Sequence, residues 1–209
     1  MQLNDPLDTV LDNGIKVRIL RVFCRTNIEL NGRQVAREVK VTPRTAHKVL
    51  QQLSDEGVLQ MKNVGKTYLF TLNQESVLVK DILKVLFNIE KKVTGRIFEV
   101  IQQEIKGSIL KNDILFVALF GSIHAKKSRP GSDVDLLVIV RDASVKTKVE
   151  NFFEKVDAKI APAFGNTISP YINTIMEFRT KIKDKLPVVK NILSSHRLIY
   201  GEPLEAVIQ

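Results

Sequence analysis

Apolar residues recur at helical spacing across positions 11–24, at Leu11, Ile15, Ile19, Val22 and Phe23, which predicts an amphipathic helix closed by Asn27. Asn31 and Gly32 open a short second helix that buries Val35, Ala36 and Val39. Val41-Thr42-Pro43 then makes a turn in which Thr42 caps a third helix and Pro43 takes its first position. Over residues 43–56 that helix turns Ala46, Val49, Leu50 and Leu53 inward, so Arg44, Thr45, His47, Lys48 and Gln51 face out, and Gly57 stops it. Two strand-like runs, 58–62 and 67–71, flank Asn63-Val64-Gly65-Lys66, a hairpin with glycine at its bend and lysine at its tip.

Between 76 and 106 there is no proline, and Leu78, Ile82, Leu86, Ile89, Val93, Ile97, Ile101 and Ile105 step along one face. One long helix, or two joined near Gly95, fits this stripe, which either pairs with a second chain or packs on the following domain. The period then changes. Residues 114–120 form an unbroken apolar strand that ends in Gly121-Ser122. Ten residues on, Ser132-Asp133-Val134-Asp135 leads into a second apolar strand, 136–140. A helix over 145–160 follows, in which Asp157 faces solvent, and then a strand over 166–172 that Pro170 places at a sheet edge. Thr174 to Glu177 reads as a capping box, and residues 187–200 read as a last helix covering the sheet.

The chain has 209 residues, 44% of them hydrophobic and 26% charged, which excludes a disordered protein and allows one or two domains. No apolar run approaches the roughly 20 residues that cross a bilayer, and the first residues lack the layout of a signal peptide, so a cytoplasmic protein is expected. Cys24 is the single cysteine, which leaves no internal disulfide and no cysteine zinc site. The net charge of +9 favours a polyanionic partner. Its distribution says more: residues 31–66 hold seven basic side chains (Arg33, Arg37, Lys40, Arg44, Lys48, Lys62 and Lys66) against three acids.

Asp133 and Asp135, at i and i+2 of a strand, project to one face while Val134 points away. Two such charges about 6 Å apart repel by roughly 3 kcal/mol at an effective dielectric near 20, a cost that a divalent cation reverses. Paired carboxylates with water in the other positions suit Mg²⁺ shared with substrate phosphates. Gly121 adds a place where a backbone can approach a ligand closely. Lys126, Lys127 and Arg129, in the loop between, either meet phosphates or are solvated, and His124 has no metal-ligand spacing around it.

Three helices followed by a basic hairpin, over about 7–73, resemble the winged helix-turn-helix family. That resemblance implies double-stranded DNA as partner, with Arg44, Thr45, His47 and Lys48 entering the major groove and Lys62 and Lys66 touching phosphates. A winged helix used only for protein contacts is the alternative. A hydrophobic strand, Gly-Ser, a spacer of ten, Asp-x-Asp and a second hydrophobic strand resemble the polymerase-β-like nucleotidyltransferases, especially their minimal members, over about 108–205. This second resemblance implies that Gly121, Ser122 and Ser132 hold a nucleoside triphosphate, while Asp133 and Asp135 hold Mg²⁺ and carry catalysis. Active members of that family usually add a third carboxylate on a later strand, and residues 166–172 contain none.

The expected architecture is therefore α/β (α+β): a winged helix over 1–75, a helical connector over 76–106, and a small mixed-sheet nucleotidyltransferase domain over 107–209. Two functions stay open. One is transfer of a nucleoside monophosphate from an NTP to a hydroxyl acceptor. The other is a DNA-binding regulator whose transferase fold at most binds nucleotide. A homodimer or a partner protein is compatible with either.

Overall fold

The structure, a computed structural model, describes residues 4–121 and 132–208. The chain divides into two compact units, Met1–Val93 and Thr94–Gln209.

The first unit begins with a single turn, α1 (Leu7–Val10), followed by α2 (Gly14–Thr26). The expected helix thus starts later than its apolar period suggests, because the Asn13 side chain accepts the amides of Ile15 and Lys16 and fixes the N-terminus there. Asn27 ends it in the left-handed conformation, φ 52°. The short strand β1 (Leu30–Asn31) leads into α3 (Gly32–Val39), opened by a capping box between Asn31 and Gln34. In α4 (Pro43–Asp55) Thr42 caps and Pro43 occupies the first turn, as expected. The hairpin β2 (Leu59–Val64) and β3 (Thr67–Leu72) turns on Gly65 and Lys66, with Gly65 at φ +62°. These strands run further than the sequence pattern suggests, since Asn63 and Val64 pair with Tyr68 and Thr67, and Leu72 pairs with Leu59. β3 pairs on its other edge with β1, so the sheet order is β1-β3-β2.

Ile19, Leu20, Phe23, Val35, Leu50, Leu53 and Phe70 fill the core between these helices and the sheet. Lys16, only 3% exposed, is held by the carbonyl of Thr9 and by Asp12 and Glu56, the last at 2.8 Å, which ties α2 to the end of α4.

A π-helical turn, Leu78–Leu83, precedes α5 (Lys84–Gly107), which passes through Gly95 as one helix. Leu78, Val79, Leu83 and Phe87 join the first core. Glu90 anchors the same stretch by accepting two hydrogen bonds of 2.7 Å from Arg21 and one of 2.8 Å from Arg25. The Arg21 hydrogen bonds, with both arginine charges, hold the Glu90 carboxyl below the usual range. The apolar stripe is not buried throughout. Ile97, Ile101 and Ile105 lie in the second core, whereas Ile82, Leu86, Ile89 and Val93 are each at least 40% exposed.

The second unit holds β4 (Ile114–Leu119), β5 (Val134–Val140), α6 (Lys146–Phe164), β6 (Ile168–Thr174), α7 (Ile175–Lys183), α8 (Pro187–Ser194), β7 (Arg197–Gly201) and α9 (Leu204–Val207). The sheet order is β6-β5-β4-β7, with β5 and β6 parallel and the other pairs antiparallel, which is the expected mixed sheet. Alternation along β5 serves two cores. Val134, Leu136, Val138 and Val140 meet Ile101, Phe153 and Val156 on one face. Leu137 and Ile139 meet Phe178, Val189 and Ile192 on the other. Pro170 lies on edge strand β6, as its missing amide hydrogen requires.

The last helix read over 187–200 is corrected. α8 stops at Ser194, Ser195 is extended, and Arg197–Gly201 forms β7 against the open edge of β4. Val188, Val189, Ile192 and Leu193 do keep a helical period, but the next residues trade it for an edge whose backbone hydrogen bonds would otherwise go unpaired.

Candidate functional site

The chemistry-bearing residues of the second unit meet at the end of the sheet where β4 finishes and β5 begins. The Phe120 amide donates to the Asp135 carbonyl at 3.0 Å, which brings the end of the first apolar run beside the Asp-x-Asp. Gly121 follows with φ +75°. A Cβ placed on it would lie 2.0 Å from Asp135 Oδ2 and 2.8 Å from Asp135 Cγ, so the carboxylate occupies the space that any side chain at 121 would take. Glycine is required here twice, by backbone conformation and by the close approach.

On the other flank, β6 runs in register with β5, placing Ser169 beside Asp135. Two residues earlier, the Thr167 hydroxyl donates to Asp133 Oδ1 at 2.5 Å. Asp133 and Asp135 therefore share a sheet face with Thr167 and Ser169. Asp133 is exposed and Asp135 half-buried. Ser132 is fixed through its backbone, since its carbonyl accepts from the Asn166 side chain at 2.7 Å, and the neighbouring Val134 amide donates to the Thr167 carbonyl at 2.7 Å. Ser122, His124, Lys126, Lys127 and Arg129 lie outside the described residues.

The acids outside the pair have other work. Asp157, expected to face solvent, accepts the Ile168 amide at 2.6 Å and so pins the start of β6 to α6. Glu177 completes the expected capping box with Thr174 and also takes an ion pair from Lys146 at 2.6 Å. The hydrogen bonds from Lys146 and the Thr174 amide hold its carboxyl below the usual range. It sits past the far end of β6, five residues from the level of Asp135 to Thr174, or about 16 Å at strand rise. Among the described residues no group of three His, Cys, Asp or Glu side chains is placed to hold a metal ion. The two aspartates, with oxygen donors only, have the hard-ligand chemistry that suits Mg²⁺. Thr167 and Ser169 escaped the sequence reading. Their signal is a pair of hydroxyls at i and i+2 entering an edge strand, which means little until the register is known.

In the first unit Arg44, His47 and Lys48 are exposed on α4, and Thr45 is half-buried with its hydroxyl 2.8 Å from that of Thr42. Lys62 and Lys66 are exposed on the hairpin. His47 does more than face outward: its ring lies 6.1 Å from Tyr68 and edge-on to Phe70 at 6.4 Å, bracing the helix against the hairpin. Between them runs an open groove of about 380 Å³, whose lining includes Arg33, Pro43, His47, Lys66 and Tyr68. Arg33 and Tyr68 had no place in the candidate set. Only the fold brings the start of α3 against the hairpin.

Residues 103–203 match the family model of polymerase beta, nucleotidyltransferase. No curated protein gives a significant match. Among solved structures, reduced HlyU from Vibrio cholerae is 19% identical, covering 40% of this chain and 84% of its own, with a TM-score of 0.35. A homodimeric winged helix-turn-helix DNA-binding domain from Mycobacterium bovis, of a possible ArsR-family transcriptional regulator, is 18% identical over 42% of this chain and 78% of its own, TM-score 0.36. A toxin-antitoxin structure with AMP-PNP is 14% identical over 52% of this chain and 76% of its own, TM-score 0.34. Residues 103–203 are thus similar to the polymerase beta nucleotidyltransferases, and the first unit has the three helices and basic hairpin of a winged helix. No helix among the described residues is long and apolar enough to cross a membrane.

Proposed function

We propose that the protein binds double-stranded DNA through its winged helix and transfers a nucleoside monophosphate from an NTP to a hydroxyl acceptor at the Asp133–Asp135 edge. The observation that carries this reading is the seating of the Asp135 carboxylate in the space a side chain at Gly121 would fill. A site built only for folding has no need to press a carboxylate against a left-handed glycine at the open end of a sheet. Asp133 and Asp135 would hold Mg²⁺, which when bound neutralises phosphate charge and lowers the pKa of an attacking hydroxyl. The chain's own residues then position the reaction. Gly121 leaves backbone open to phosphate, the Thr167 hydroxyl orients Asp133, and the Asp157 and Asn166 contacts hold the strand entry that carries both.

The absence of an acid opposite Asp135 favours a second reading, a DNA-binding regulator whose transferase domain binds nucleotide without turnover. Ser169 stands at the position in register. Incubation with each labelled NTP, Mg²⁺ and candidate acceptors separates the two. The transferase reading expects pyrophosphate release that Asp133→Asn abolishes; nucleotide binding with no release under any acceptor supports the regulator.

Arg44, His47 and Lys48 would enter the major groove, with Lys62 and Lys66 on phosphates. The exposed stripe Ile82, Leu86, Ile89 and Val93 follows 4-3-4 spacing, the seam of a two-helix contact, and would pair two copies. Light scattering of Ile89→Asp checks this: a wild type that is monomeric at micromolar concentration removes the dimer.

A further inference from the structure

The outer strands of the four-stranded sheet, β6 and β7, present backbone to the outside, where a sheet accepts a further strand from a partner or a second copy. The register of β6 tells which of its amides point that way. The Val134 amide donates to the Thr167 carbonyl while Val134 pairs in parallel with Ile168, so Thr167, Ser169, Tyr171 and Asn173 turn their backbone to β5. Ile168, Pro170, Ile172 and Thr174 turn theirs outward.

Three of these four positions offer no free donor. The Ile168 amide donates to Asp157 Oδ1 at 2.6 Å, and the Thr174 amide to Glu177 Oε2 at 2.8 Å. Pro170, between them, has no amide hydrogen, and its ring fills the place from which an incoming carbonyl would approach. Among these described positions only Ile172 keeps an amide without a side-chain acceptor, and one backbone bond does not repay the freedom that a second chain loses on docking. A groove of about 320 Å³ runs beside this edge, with Glu150 and Glu154 of α6 along it. Two copies meeting about a twofold axis at β6 would bring these acids toward their own counterparts.

β7 is closed by other means. It is five residues long, its register against β4 slips between Val117 and Ala118, and the Ile199 carbonyl accepts from the Gln102 side chain of α5 at 3.2 Å.

We infer that the second unit is built to refuse strand addition, and that Asp157, Pro170 and Glu177 act together as the block on β6. Neither a second copy nor an extended segment of a partner continues this sheet, so whatever docks on the second unit does so through side chains. The block holds whether or not the domain turns over nucleotide.

Restoring the donors should open the edge. The full chain carrying Ile89→Asp, which disables the proposed α5 seam, serves as parent, and Pro170→Val and Pro170→Val/Asp157→Ala are built on it. Sedimentation equilibrium from about 5 to about 200 μM reads self-association, and hydrogen exchange at the Ile172 amide reads whether the edge is where it occurs. The parent is expected to stay monomeric, and Pro170→Val to associate with Ile172 exchange slowed about tenfold at the high concentration. The double variant has three outward donors in a row and is expected to associate about tenfold more tightly than Pro170→Val, and more tightly again in high salt, which screens the Glu150 and Glu154 repulsion. Valine suits an edge strand, so Pro170→Val, its fold checked by circular dichroism and a melting curve, decides the matter even if the double variant fails to fold. A folded Pro170→Val that is monomeric throughout the range overturns the inference. Association that leaves Ile172 exchange unchanged does so too, since the contact then lies elsewhere, and so does a parent whose Ile172 amide is already protected as concentration rises.

Discussion

Replacing Gly121 by alanine perturbs one contact in a calculable way. The new Cβ would sit 2.0 Å from Asp135 Oδ2 and 2.8 Å from Cγ, so the carboxylate must rotate out of its seat. It is the far end of a side chain at the open end of the sheet, and its rotation leaves the core untouched. The backbone cost is that of holding alanine at φ +75°, about 1 kcal/mol. For a unit of this size that lowers the melting temperature by roughly 4 °C. The functional loss should be larger than the structural one. If Asp135 in its observed seat is half of the anionic edge, affinity for Mg·ATP measured by calorimetry should fall at least tenfold, about 1.4 kcal/mol. The coupling to Asp135 is the sharper measurement. Because alanine acts through that carboxylate, Gly121→Ala should cost little further affinity in an Asp135→Asn background. Equal losses in both backgrounds would refute the argument, since glycine would then matter for backbone access alone.

Two further outcomes follow from the first unit. Lys62→Ala and Lys66→Ala should each flatten the slope of log affinity for duplex DNA against log salt by about 0.9, the yield of one phosphate contact, and a slope unchanged in the double variant removes the hairpin from the interface. Burial pushes the Cys24 thiol up to about 11, partly opposed by Lys84. An unfolded thiol ionises near 9, so folding stability from this group is complete below that pH and is lost as pH climbs toward 11. Urea midpoints should fall across that window in wild type and fall less in Cys24→Ser, and iodoacetamide should label the folded protein slowly at pH 8.

Much of this architecture is legible in the chain because local chemistry and tertiary need agree. Thr42-Pro43 and Asn31-Gly32 start helices by capping geometry that holds in any context. Thr174 to Glu177 does the same for α7. The apolar runs of β4 and β5 are covered on both faces, so they carry no alternation to misread. Legibility fails where a partner in space decides. β7 is five residues long, too short for a period, and is a strand because β4 has a free edge. Asp157 continues a helical pattern in sequence, and its bond to Ile168 depends on a turn at Gly165 that reverses the chain. At the candidate site, Asp133 and Asp135 were visible as a pair, whereas Thr167 and Ser169 come beside them only through the register of β6.

That register also makes the missing acid testable by addition. Ser169 is exposed and lies beside Asp135, so Ser169→Asp places a third carboxylate on the shared face without entering the core. Without a cation, a new charge about 6 Å from an existing one costs roughly 3 kcal/mol at an effective dielectric near 20, less where water screens it. Mg²⁺ removes that repulsion and gains a ligand. The variant should therefore melt below wild type in EDTA and recover as Mg²⁺ is added, with a steeper dependence on Mg²⁺ than wild type shows. If the regulator reading is right and turnover was lost with this acid, pyrophosphate release should appear in Ser169→Asp; if two carboxylates already suffice, release changes little while Mg²⁺ is held more tightly. A variant whose stability ignores Mg²⁺ altogether would mean that the two aspartates do not face a common ion, and both readings of the site would fall with it.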